Sequence, residues 1–428
     1  MIPKSISHLF NILFNLQRSY EFHKSRLYDI KHYPSRKTLR KLQEIRKKDK
    51  ITVAFLVYDI SKWKSEALYL ELSNYSRFDP VIIPVMCFHG DYLESSRQFT
   101  NCIEYLNDKG YKYIIGNPNI DIDNLVKPDI VFYGELYEGL FNDCYSFRYN
   151  SKRESLSCYI PYCFHNTNIE ATLNHLENNL VWLSFVENEE TLEDIKAVMT
   201  NKGVNLIATG LPIQDSFIAA TKNFRDIWKP QTKRKKRIIW APSHTIVGNN
   251  IENAYKQSTF LEIADDMLIL AEKYKDTIQW AFKPHPVLRR KLVKIWGLQA
   301  TDAYYEKWAN LEYSQLEEGQ YVDLFMGSDA MIHDCMSFMV EYMYVGKPVL
   351  FLNNGINNTE IYNTQTAEAY NIHYKANSIN EIEKFILQTV LGNEDPLNKK
   401  RLKFKQKFLI PPMGRTACEN IIAAILGS

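Results

Sequence analysis

Apolar residues along this chain gather into short unbroken runs, each bounded by polar or turn-forming residues. Residues 51–58 (ITVAFLVY), 181–186 (VWLSFV), 278–282 (IQWAF) and 349–352 (VLFL) have the length of strands and show no polar alternation. A strand apolar on both faces belongs inside a parallel sheet covered by helices. The same reading places strands at 80–85, 113–115, 129–133, 159–165, 205–208, 237–240 and 330–332. Amphipathic or capped stretches predict helices at 62–73, 102–109, 192–199, 260–274, 338–344, 380–391 and 416–426. Strands alternating with helices imply parallel sheets with right-handed crossovers, an α/β fold. A charged run, TKRKKR at 232–237, separates two such series. The expected divisions are a basic helical extension (1–50), an N-terminal Rossmann-like domain (51–230), a C-terminal Rossmann-like domain (236–412) and a terminal helix (413–428).

The stretch 321–352 reads as a complete nucleotide-binding unit. Gly327-Ser328-Asp329 forms a turn before a short buried strand, and 333–337 is a polar break. The helix that follows ends at Gly346-Lys347-Pro348, where Gly tolerates a left-handed cap and Pro cannot continue the ladder. A helix start has free N–H donors and the positive end of its dipole, so it attracts phosphate. Ser337 stands where that start is expected, and Glu341 lies one turn down the same face, within reach of ribose hydroxyls. The competing reading is a capped core helix with Glu341 on its wet side.

Active groups in open α/β sheets collect at strand carboxyl ends. His165, beside Asn166-Thr167, is placed there as a general base or, more simply, as a structural loop histidine. Ala241-Pro242-Ser243-His244-Thr245 is a polar loop at another strand end. In Lys283-Pro284-His285-Pro286, two prolines restrain a cation and an imidazole, holding them ready for an anion. Asp121 and Asp123 form an Asp-x-Asp pair of the kind that holds a metal, but a helix cap explains them better.

Charge changes the picture at one end. The whole chain carries +2, but residues 1–50 hold 13 Lys/Arg against 4 Asp/Glu, or +9, which leaves 2 − 9 = −7 for the rest. With the apolar stripe Leu9, Phe10, Leu13, Phe14 and Leu16, this describes an arm for an anionic membrane surface, or a helical appendage packed on the body. No base-stacking or groove-reading pattern accompanies the charge, so nucleic acid is not an expected partner. The seven cysteines include no C-x-x-C pair, which argues for reduced thiols and against a disulfide framework or zinc site. There is no signal-peptide pattern, and no apolar run approaches the roughly 18 residues of a membrane span. The expected location is cytoplasmic, peripheral at the inner face of the cell membrane.

Five segments, in order, carry a resemblance. They are CFHNT (163–167), TGLPIQDSF (209–217), APSHT (241–245), KPHP (283–286) and SDAMIHDCMS followed by VEYMYVGKPVLF (328–337, 340–351). The chain resembles the CDP-glycerol glycerophosphotransferases that build teichoic-acid-like polymers, from about residue 158 to 352 and more loosely outside. That resemblance implies a GT-B fold, two doubly wound domains facing a cleft. It implies His165 as base for the acceptor hydroxyl, and Lys283 and His285 on the donor diphosphate. Ser337 would meet the same group, with Ser243 and Ser328 in the donor-binding set. Asp334 would order the loop and Glu341 would meet the ribose. The implied partners are a CDP-type donor and a glycan or lipid-linked acceptor, with no cofactor and no metal. Departures occur at Cys335-Met336, where the family commonly has Tyr-Ser, at Glu341, where Asp is usual, and at Asn166, where Gly is usual. An ordinary nucleotide-sugar glycosyltransferase of capsule or O-antigen synthesis, and a noncatalytic nucleotide-binding protein of a glycan cluster, are the alternatives.

Overall fold

The computed structural model describes residues 34–87, 92–137, 139–246, 258–355 and 359–427. Two six-stranded sheets form the frame, and every strand pairing in them is parallel. The first contains β1 (Ile51–Val57), β2 (Phe78–Pro84), β3 (Ile130–Tyr133), β4 (Leu156–Tyr159), β5 (Leu183–Val186) and β6 (Leu206–Ala208), in the order β2-β1-β3-β4-β5-β6. The second contains β7 (Lys236–Ala241), β8 (Ile278–Phe282), β9 (Ser314–Leu316), β10 (Ala330–His333), β11 (Val349–Leu352) and β12 (Tyr374–Ala376), in the order β12-β11-β10-β7-β8-β9. Strand order reverses between β1 and β3, and again between β7 and β10. Loops that leave such switch points open a crevice at the carboxyl edge of a sheet.

The long apolar runs became strands close to where the pattern put them, because a run apolar on both faces has nowhere else to be buried. Three expectations need correction. Residues 113–115 contribute only a single bridge, Tyr113 to Ile82. The expected strand 159–165 is instead β4 ending at Tyr159, followed by irregular backbone; Pro161 has no N–H to give a ladder. The expected helix 338–344 is the shorter Met336–Glu341 helix, tightening into a 3-10 turn at Tyr342–Tyr344.

Of the basic extension, Arg36–Lys47 is helical, with the Ser35 hydroxyl accepting from the Thr38 N–H. It packs on the first half. Lys41 and Lys48 lie 3.0 and 2.6 Å from the buried Asp129 carboxylate, and Arg40 lies 2.6 Å from Glu154. The apolar stripe at 9–16 lies outside the described residues.

A continuous apolar core joins the halves. Phe217 stacks on Tyr344 with ring centroids 4.7 Å apart, and Tyr321 and Phe325 pack against Phe217. The last helix, Ala417–Leu426, returns to the first half. Its first N–H groups, from Ala417 and Cys418, donate to Asp215 at 2.9 and 2.8 Å. Gly210 lets it approach: φ there is +79°, and an added Cβ would stand 2.9 Å from that of Ala417.

Candidate active site

A cavity lies between the two halves. The first half lines it with Lys62, Lys64, Tyr162 and Cys163, and the second with Lys283, His285, Tyr321, Ser337 and Glu341. All of these leave the carboxyl side of a strand or follow shortly after it.

The second-half wall is laced together by its backbone. The Lys283 N–H donates to Trp240 O at 2.8 Å and the His285 N–H to Pro242 O at 3.0 Å, so the KPHP loop is fixed to the loop after β7. Lys283 is 4% exposed, donates to Gly319 O at 3.0 Å and lies 5.5 Å from the Tyr321 ring. Burial lowers its pKa, opposed by Glu317 and Glu318. His285 Nδ1 accepts from the Val287 N–H at 3.1 Å, so its proton belongs on Nε2 in the neutral ring. Burial, and then the His244 ring 4.0 Å away, hold His285 well below the ordinary imidazole range. It is therefore neutral, with one N–H to offer.

Asp334 is fully buried and points away from the cavity. It accepts from the Ser243 N–H, from the Thr259 N–H at 2.6 Å and from Thr259 Oγ1 at 3.1 Å. The carboxylate thus ties the loop after β7 to the start of the Phe260–Lys273 helix. Ser243 is buried beside it, its hydroxyl 3.2 Å from that of Thr245, and does not line the cavity. Ser328 is further away, before β10, where its hydroxyl donates to Phe325 O and shares a hydrogen bond with Tyr342. Ser337 does reach the cavity wall.

Glu341 is 1% exposed, so the expected wet position is not realised. The Tyr321 hydroxyl donates to Oε2, while Oε1 has no hydrogen-bond partner of good geometry. Burial pushes its pKa up to about 7, against the pull of Lys64, the Tyr321 hydroxyl, Lys283 and the Phe164 backbone N–H.

His165 stands two residues beyond Cys163 and is not itself part of the cavity lining. Its N–H donates to Glu187 Oε1 at 2.8 Å, and its ring Nδ1 lies 2.9 Å from Glu187 Oε2. Glu187 is fully buried and also accepts from Gln365 of the second half at 2.6 Å. Asn363, again from the second half, donates to His165 O at 2.7 Å. With Nδ1 on a carboxylate, the ring is oriented and Nε2 is left to act on something else.

Sequence reasoning overlooked Lys62, Lys64, Tyr162, Tyr321 and Glu187. A signal existed for some of them: Lys62 and Lys64 follow β1 and Glu187 follows β5 directly, the positions already used for His165 and Lys283. Lys62 is held by Glu135 at 3.0 Å and by the Tyr58 hydroxyl at 2.9 Å. Among the described residues, no group of three or more His, Cys, Asp or Glu side chains is arranged to hold a metal, and no helix is long and apolar enough to cross a membrane.

Two parallel doubly wound sheets meeting at a cleft built from strand carboxyl ends define the GT-B architecture. The particular family follows from sequence: a profile described as CDP-glycerol:poly(glycerophosphate) glycerophosphotransferase matches residues 164–426. The chain belongs to that family. No curated protein sequence matches it. In fold it is similar to a variant of the wall teichoic acid polymerase TagF, with a TM-score of 0.60 at 13% identity over 95% of this chain and 97% of the other. A TagF structure soaked with CDPG gives 0.54 at 13% identity, over 95% and 96%. A UDP-N-acetylglucosamine 2-epimerase gives 0.51 at 15% identity, over 89% and 96%.

Proposed function

We propose that the chain transfers a glycerol-phosphate unit from CDP-glycerol to a hydroxyl of a teichoic-acid-like or capsular polymer, with His165 as base. The acceptor hydroxyl is a poor nucleophile until its proton leaves. His165 Nε2 takes that proton while the acceptor oxygen bonds to the phosphorus that carries glycerol. The phosphoanhydride bond breaks and CMP departs with the electron pair. Negative charge grows on the departing phosphate, where Lys283 and the His285 Nε2–H meet it. Glu187 fixes the His165 ring and balances the imidazolium that forms. In this reading side chains supply the positive charge, and the reaction proceeds in the presence of excess chelator.

The observation that supports this most is the Glu187–His165 pair beside a cavity whose opposite wall carries Lys283 and a neutral His285. CMP release from CDP-glycerol, with a polymer or lipid-linked acceptor present, tests it. His165→Ala and His285→Ala are expected to abolish most turnover. If both variants keep near-normal rates, the roles are wrong. A panel with UDP- and GDP-linked donors tests the choice of nucleotide. The acceptor side implies work at a membrane. Residues 34–50 carry 8 Lys/Arg against 2 Asp/Glu, or +6 of the arm's +9, and several of these cations are already taken by the body. Docking on anionic lipid therefore falls to residues 1–33. Deleting them should abolish co-sedimentation with anionic liposomes, and equal pelleting would dispose of the idea.

A further inference from the structure

The cavity contains a cation that the proposed chemistry does not use. Lys64 leaves the first half after β1 and is 5% exposed. Its Nζ donates to Ser61 O and lies 4.1 Å from the Tyr321 ring of the second half. Lys283 lies 5.5 Å from the same ring. Glu317 and Glu318 act on Lys283, and Asp59 on both ammonium groups, from outside the cavity lining. The carboxylate within the lining is Glu341, which the Phe164 N–H also approaches; its Oε2 is taken by Tyr321 and its Oε1 has no hydrogen bond of good geometry. Lys62 differs, since Glu135 at 3.0 Å already neutralises it. A buried cation whose counter-charges stand back from it is costly, and so is a carboxylate oxygen with no well-aligned donor. An incoming phosphate reduces both costs: it brings negative charge into the cavity and an oxygen that a protonated carboxyl can donate to.

We infer that Lys64 is a donor-phosphate ligand supplied by the opposite half, and that Glu341 is its place-holding counter-ion, which takes up a proton when the phosphate enters. The inference rests on the proposed donor site and adds to it a ligand that crosses the cleft and a proton stoichiometry. Lys64 comes from the loop after β1, Cys163 from the loop after β4, Lys283 from the loop after β8 and Tyr321 from the segment before β10. All four face Glu341, as does Tyr344 in the 3-10 turn that follows it. Of these, only the two lysines favour its ionised form through their charge. A phosphate that engages them withdraws that support and adds a like charge beside the carboxylate, and both effects raise its proton affinity. The starting point is close to balance: burial has already brought Glu341 up to about 7 and Lys64 down to about 8.

Calorimetric titration of the full chain with CDP-glycerol, and separately with inorganic pyrophosphate, in two buffers of different ionisation enthalpy tests this. The diesterified diphosphate of CDP-glycerol does not titrate near neutrality, so any proton taken up belongs to the protein. At pH 7 the wild type is expected to take up a fraction of a proton per ligand bound, since burial brings Glu341 up to about 7. Glu341→Gln should bind without that uptake. Lys64→Met should weaken both ligands by about tenfold or more, the usual cost of a lost hydrogen bond to a charged group, and Lys64→Arg should recover part of it. Buffer-independent heats for the wild type, which need no variant to fold, would overturn the inference. So would Lys64→Met binding pyrophosphate like the wild type. If CDP-glycerol is turned over without proton uptake, the inference fails and the proposed function stands. If pyrophosphate binds with Glu341-dependent uptake while CDP-glycerol is not turned over, the reverse holds.

Discussion

Two fully buried carboxylates brace the cleft, one in each half, and their surroundings differ. The donors to Asp334 are neutral, among them the N–H groups of Ser243 and Thr259 and the Thr259 hydroxyl, all from its own half. Burial is only partly offset there, and its pKa is pushed up to about 6. Glu187 accepts from the N–H and ring of His165 and from Gln365, which belongs to the other half. The first arrangement fixes a loop. The second fixes a loop, joins the halves and faces a group able to become a cation. A buried carboxylate next to an imidazole can support charge during a reaction, whereas one surrounded by amides cannot.

The largest effect should come from breaking the second arrangement. His165→Ala is expected to lower kcat by about 10²–10⁴-fold, the usual contribution of a positioned base. Glu187→Gln keeps the shape but loses the charge and should cost nearly as much, with the KM for CDP-glycerol little changed. Steady-state kinetics decides the matter. If Glu187→Gln retains wild-type kcat, the two carboxylates are alike after all and Glu187 is only a brace.

Asp334→Asn tests the first arrangement. An amide cannot accept from all three donors and brings N–H groups of its own, so a loss of about 1–3 kcal/mol per orphaned donor is expected in urea unfolding. The pH dependence has a definite sign. The folded pKa of Asp334 is raised from 3.8 to about 6, so ionising it in the folded protein costs stability as pH rises through that window. The variant lacks this cost. Its deficit should therefore be widest below pH 4 and narrow toward pH 6. A deficit that grows with pH would contradict the burial argument.

These arrangements also mark how far the sequence could be read. Strand-end positions were legible because an apolar run identifies its own end, and the groups just beyond it, such as Lys283 and His285, follow. Partnership was not legible. That Asp334 turns inward to Ser243 and Thr259 depends on strands that meet only after folding. That Glu187 and Gln365 converge on His165 depends on contacts between residues nearly 180 positions apart in sequence. The burial of Glu341 was missed for a related reason. Helical periodicity placed it one turn below Ser337, but the other half of the molecule covers that face.

A third buried carboxylate sharpens the contrast. Burial alone would raise the pKa of Asp129, but Lys48, Lys41 and the Thr52 N–H outweigh it, and the pKa is lowered. Its contribution is therefore present above the ordinary 3.8 and lost as pH falls through the lower folded value, opposite in sign to Asp334. Asp129→Asn should loosen the Arg36–Lys47 helix from the first half. Proteolysis near residue 35 should accelerate at neutral pH, and the difference from the wild type should disappear in acid.

The smallest effect belongs to an ion-paired link between the halves. Arg97 lies 2.8 Å from Glu94 in its own helix and 3.2 Å from Glu318 across the cleft, with about a third of its side chain exposed. Solvent screens such a pair, and about 0.2–1 kcal/mol is the usual range. Unlike the Gln365–Glu187 link, it is open to salt. Arg97→Ala should leave kcat unchanged and raise the KM for CDP-glycerol at low salt by less than about fivefold, the ratio that 1 kcal/mol allows. At high salt the variant and the wild type should converge, because the interaction removed by mutation is already screened. A drop in kcat that salt does not alter would mean that Arg97 acts on the reacting groups, not on how the halves meet.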